Sequence, residues 1–183
     1  MNNVYFPKDE DSLNFVLNVY ASEVKDRADW IVRRYKNFDT DSMDVMTILK
    51  TSIDIIGDAI VIDRIINGTG ARKNEREIVK ERVRLIHDRW PGLNNLNLPE
   101  NLGKVRNDYE HFDTRLDQWA KASERKIIID NNMTPPGIFQ NAKEKEVIRN
   151  YYDGVLYFWN KGVVLKDVVK WATDVSYEMF KSH

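Results

Sequence analysis

The sequence predicts a mainly α domain, a helical bundle of about five helices with a small antiparallel β element in its C-terminal third. Three observations predict it. Glycine and proline number only eight and five and they cluster, which leaves long stretches free to run as helix. In those stretches apolar residues recur at steps of three and four, the spacing of one helix face. After Ser123 that texture gives way to β-branched and aromatic runs broken by turn residues. At 183 residues the chain fits one domain, taken as 1–183, with 123–165 as a β-containing segment within it.

Residues 9–36 read as the first helix, because Leu13, Val16, Leu17, Tyr20, Val24, Trp30, Ile31 and Val32 form an apolar stripe that ends at a polar turn. The second, 42–67, carries Met43, Met46, Ile48, Leu49, Ile53, Ile56, Ile60 and Ile65. These cover so much of its circumference that it belongs at the centre of the bundle, and Gly68 and Gly70 stop it. A third helix, 72–90, holds Val79, Val83, Ile86 and Trp90 on one face and closes at Pro91-Gly92. Pro99 suits the first turn of a fourth, where a missing N–H costs nothing, and that helix runs to residue 122 with Leu102, Val105, Tyr109, Phe112, Leu116 and Trp119 towards the core. Beyond it, K-I-I-I-D-N-N-M is β-branched, T-P-P-G is a loop, and two aromatic runs between Tyr151 and Trp159 pair across Asp153-Gly154, giving a sheet of about three strands. A last helix, 166–181, turns Val168, Val169, Ala172, Val175 and Met179 or Phe180 inward.

Composition removes several function classes. There is no cysteine, which excludes disulfides, thiolate catalysis and Cys-based metal sites and fits a reducing cytoplasm. Lys and Arg total 28 against 29 Asp and Glu, a formal net charge of -1, so an anionic partner must be met locally rather than by overall charge. The N-terminal residues carry no basic and apolar leader, and the most apolar stretch, 53–66, is interrupted by Asp54, Asp58 and Asp63, so neither a signal peptide nor a membrane span is expected.

The fourth helix carries Arg106-Asn107-Asp108-Tyr109-Glu110-His111, which reads R-N-x-x-x-H. Arg82 and His87 repeat the Arg-to-His spacing, but Val83 replaces the polar second residue and the positions between are largely core-facing, so His87 is read as structural. The wider run R-N-D-Y-E-H-F-D-T-R-L-D-Q-W resembles a group of uncharacterised bacterial proteins of the HEPN superfamily (higher eukaryotes and prokaryotes nucleotide-binding). The resemblance implies a small helical bundle that dimerises and acts as a metal-independent RNase in toxin–antitoxin or phage-defence systems, with an RNA substrate and an antitoxin or other partner protein. It also implies Arg106, Asn107 and His111 as catalytic residues, with no cofactor and no metal. His111 would shuttle protons, Arg106 would neutralise charge on the phosphoryl oxygens, and Asn107 would orient the imidazole or phosphate, in a transesterification by the RNA's own 2′-hydroxyl.

Helical geometry adds a constraint. On one uninterrupted helix Arg106 and His111 lie about 140° apart, which favours a homodimer in which each groove draws Arg106 and His111 from different chains. Asp108, Glu110 and Asp113 put negative charge beside the motif, which opposes phosphate and favours the alternative, a non-catalytic helical dimer serving as a nucleotide- or protein-binding module.

Other features have blander expectations. Residues 72–89 carry seven basic side chains against four acidic ones, interleaved at helical spacing as in a self-paired, solvated helix, with an RNA-tracking face as the competing use. The aromatic hairpin is expected to cover the bundle rather than to stack bases. Asp54 and Asp58, with Glu23 or Asp26, form the one carboxylate grouping reminiscent of a metal-binding bundle, without the accompanying E-x-x-H pairs.

Overall fold

The computed structural model describes residues 5–122, 128–138 and 146–181. It is mainly α, with six α-helices and one three-stranded antiparallel sheet among those residues. Helix α1 (Glu10–Lys36) is capped by Asp9, which accepts from the Ser12 N–H, and it buries Leu17, Ala21, Val24, Ala28 and Ile31, a stripe at alternating steps of four and three. The two alanines, rather than Trp30, lie on its buried face. Trp30 lies largely exposed beneath the Arg27 guanidinium.

Helix α2 (Val45–Asn67) is the centre of the bundle, with eleven buried residues, and packs against α1, the last helix α6 (Leu165–Phe180) and the sheet. Two of its aspartates are buried among those apolar residues. Asp58 accepts from Arg27 Nη1 at 2.8 Å and from Arg34 Nη1, so it serves as an ion-paired bolt between α1 and α2. Asp58 is thus taken up by arginines and Asp54 pairs with Lys50 on its own helix, and among the described residues no three metal-ligating side chains converge. Gly68 closes α2 in the left-handed conformation at φ 67°.

Helix α3 (Arg76–Arg89) begins four residues later than its composition suggests and leads into a 3-10 turn, Pro91–Asn95. The expected fourth helix is two: α4 (Leu102–Glu110) and α5 (Phe112–Ala122), separated at His111. The sheet comprises β1 (Arg149–Tyr152), β2 (Val155–Phe158) and β3 (Lys161–Val164), in the order β1-β2-β3. Its first hairpin turns at Asp153-Gly154 as expected, both with positive φ. The third strand is not the 126–133 run. It follows a second two-residue turn, Trp159-Asn160, also with positive φ, while Ile129 and Asn132 make only isolated parallel bridges to Val147 and Asn150, and residues 126 and 127 lie outside the described residues. Buried Asn150 holds that loop by exchanging hydrogen bonds with the Thr134 backbone. Tyr151 and Phe158 are in the core, so the hairpin covers the bundle. Helix α6 buries Leu165, Val168, Trp171, Ala172, Val175 and Met179, leaving Phe180 outside. Among the described residues no helix is long and apolar enough to cross a membrane.

Candidate functional site around Arg106 and His111

Helix α4 is anchored at its start by Asn101, whose Nδ2 donates to the Gly162 carbonyl of β3 at 3.0 Å. From there Leu102, Val105 and Asp108 form the buried face. The apolar periodicity pointed to Tyr109 as the third member, yet Tyr109 is 50% exposed and Asp108 1%. A buried carboxylate is tolerable only when compensated. Asp108 is: Arg115 Nε of α5 donates to it at 2.8 Å, and Lys161 Nζ of β3 donates to its other oxygen. The Arg115 link spans the helix break, which fixes α5 to α4 across His111.

Arg106 leaves the flank of that buried face, beside Leu102, and turns towards α2. Its side chain is 15% exposed, with Nη1 4.0 Å from Asp63 Oδ2 and Nε 3.8 Å from Glu110 Oε2. Those separations give charge attraction without a hydrogen bond, and Nε and Nη1 are buried with no hydrogen-bond partner among the described residues. Asp63 is itself occupied: Asn67 Nδ2 donates to it at 2.9 Å and Thr69 Oγ1 donates to its second oxygen. Glu110 also pairs with Arg64 of α2. One carboxylate therefore ties two guanidiniums together, one residue before His111.

His111 is the C-cap of α4, at φ -113° and ψ 36°, with its N–H bonded to the Asn107 carbonyl at 3.2 Å. Its imidazole is exposed and has no hydrogen-bond or ion-pair partner among the described residues. Asn107 is half-buried and its side chain likewise makes no hydrogen bond among them. The 140° separation expected for Arg106 and His111 assumed one continuous helix. The helix ends at His111 with the His111 N–H still bonded to the Asn107 carbonyl, and within one chain no bond or ion pair joins Arg106 and His111 among the described residues.

No protein-family model, curated protein or solved structure matches the chain.

The acidic neighbours of the motif change meaning once folded. Asp108 points inward onto Arg115 and Lys161, and Glu110 points onto Arg64 and Arg106, so of the three only Asp113 stands exposed without a cationic partner among the described residues. His87, the other histidine at this spacing from an arginine, has Nε2 2.9 Å from the Ile66 carbonyl and Nδ1 2.8 Å from Asn94 Oδ1, bridging the end of α2 to the 3-10 turn. The basic stretch is self-paired in part: Arg84 pairs with Glu81 and Asp88. The site residues that sequence reasoning passed over are Asp63, Arg64 and Gly70. Their signal was an aspartate interrupting an apolar helix, followed by a double-glycine stop.

Proposed function

We propose that the protein is a HEPN-like, metal-independent endoribonuclease or RNA-binding protein of a bacterial toxin or defence type, working as a homodimer through Arg106, Asn107 and His111. One observation carries this: helix α4 ends at His111 itself, presenting an unengaged imidazole at an exposed helix terminus one residue after Glu110, which pairs with Arg64 and Arg106. An imidazole so placed is open to a substrate, and the neighbouring guanidiniums supply the charge that a phosphodiester requires. The internal pairing of Asp108 and Glu110 removes much of the acidic opposition to a phosphate. The alternative, a non-catalytic helical dimer that binds a nucleotide or protein, is favoured by the turning of Arg106 into the α2–α4 cleft.

The test is cleavage of single-stranded RNA in EDTA, scored for 2′,3′-cyclic phosphate ends. His111→Ala is expected to lower the rate about 10²–10⁴-fold, as for a positioned acid–base group, while His87→Ala leaves the chemistry nearly intact. In mixtures of Arg106→Ala and His111→Ala, recovery of activity indicates grooves shared between chains. Equal loss from both histidine substitutions, or cleavage that requires added Mg²⁺, rejects the metal-independent site at His111, and no cleavage under either condition leaves the binding module.

A further inference from the structure

The turn between α2 and α3 builds a feature that the Arg106–His111 segment does not explain. A surface cavity of about 440 Å³ lies there, and its charged lining is Arg64, Arg72 and Arg82 against the single acid Glu75. The three guanidiniums come from the last turn of α2, the connecting loop and the middle of α3, so folding gathers them. Arg82 is immobilised: its Nη2 donates to the Arg64 carbonyl at 2.6 Å and its Nε to the Ile65 carbonyl at 3.2 Å, which satisfies carbonyls at the end of α2. Arg72 is exposed, and its side chain has no hydrogen-bond or ion-pair partner among the described residues.

The backbone contributes too. Gly68 and Gly70 have φ 67° and 75°, the left-handed conformation that glycine adopts without strain. At Gly70 a Cβ would stand 3.4 Å from Arg106 Nη1 and 3.7 Å from Arg64 Nε, so the bare backbone sits directly on two guanidiniums. Behind the lining stands the Arg106 guanidinium, which shares the Glu110 carboxylate with Arg64 and leaves Arg72 as the unpaired cation of the cavity among the described residues. No aromatic side chain lines the cavity, so nothing there stacks a nucleobase.

From these observations we infer that the α2–α3 cavity is a phosphate-binding site, in which Arg72 and Arg64 contact the anion and Arg82 fixes the charge behind it. The planar fork of arginine matches phosphate oxygens two at a time, and the absence of a stacking surface makes the phosphate the recognised part. Inorganic phosphate, a phosphomonoester and the backbone of RNA share that chemistry. The site does not depend on RNA cleavage: either property can fail while the other stands.

The experiment titrates the full chain by calorimetry at constant ionic strength with inorganic phosphate, with AMP and with a short single-stranded oligoribonucleotide. Saturable phosphate binding is expected below about 10 mM. Arg72→Ala should weaken it about tenfold, the loss of one charge-assisted contact, and Arg72→Lys should recover part of it. Arg84→Ala, a surface arginine paired outside this cavity, should change it less than about twofold. If Arg72→Ala also weakens oligonucleotide binding and lowers its salt dependence by about one phosphate, the occupant is the RNA backbone; if only phosphate and AMP respond, it is a small phosphate compound. Either result supports the site. An absence of saturable binding by all three probes, or equal losses from Arg72→Ala and Arg84→Ala, overturns it. Thermal melting of each variant verifies that the fold is retained.

Discussion

Replacing Asp108 with asparagine puts the anchoring of the helix break to a quantitative test. The wild-type carboxylate is 1% exposed and accepts one charged hydrogen bond from α5 and one from β3. Each such bond is worth about 1.5–3 kcal/mol net. The asparagine keeps the shape but not the charge, so Arg115 and Lys161 face a neutral amide. Their side chains are 32% and 39% exposed, so they recover water and the cost stays below the roughly 3–5 kcal/mol of a stranded buried ion. The expected destabilisation is about 2–3 kcal/mol, or roughly 4–12 °C in Tm for a chain of this size. Urea denaturation followed by circular dichroism reads it as a lower midpoint at unchanged slope. Hydrogen exchange locates it: the Arg115 N–H, bonded to the His111 carbonyl at 2.9 Å, should exchange faster, while amides of α2 keep their protection. A stability within about 0.5 kcal/mol of wild type, the range of ordinary surface substitutions, would refute the view that Asp108 fastens α5 across the break.

Gly68→Ala should cost about 2–4 kcal/mol, because it combines left-handed backbone strain with a Cβ 2.6 Å from Val79 Cγ1 and 3.0 Å from Val83 Cγ2; equilibrium unfolding measures it, and a neutral result would mean the α2–α3 turn relaxes freely. Acid should destabilise the protein partly through Asp130. Burial pushes its pKa up, but hydrogen bonds and charge from Arg149 outweigh burial and hold it below the ordinary 3.8. A depressed carboxyl stabilises the fold above its unfolded pKa and ceases to do so as pH falls through the folded value. Urea midpoints measured from pH 6 down to about 3 should therefore fall, and Asp130→Asn should begin less stable and fall less steeply. The capping carboxylates Asp9 and Asp44, lowered by Ser12 and Thr47, act with the same sign.

How much of this was legible beforehand differs by element. The extents of α1, α2 and α6, the central place of α2, the Asp153-Gly154 hairpin and the structural role of His87 follow from periodicity and turn chemistry, because each depends on residues a few positions apart. The third strand was misplaced because Trp159-Asn160 adopts positive φ without carrying glycine, which local composition does not announce.

The site divides in the same way. The sequence alone places Arg106, Asn107 and His111 on one short segment, whereas the helix expected to start at Pro99 starts at Leu102, after Asn101. Which of two neighbours is buried, Asp108 or Tyr109, was decided by tertiary structure, since it depends on Arg115 seven residues on and Lys161 fifty-three residues on, and burial of a charge follows its partners rather than its own hydropathy. The direction of Arg106 was likewise settled by Asp63 and by the bare backbone at Gly70, both from the α2–α3 corner. Periodicity fixes a helix and one face of it. Electrostatic compensation between distant segments lets that helix turn Asp108 rather than Tyr109 inward, because two cationic partners offset the cost of burying the carboxylate.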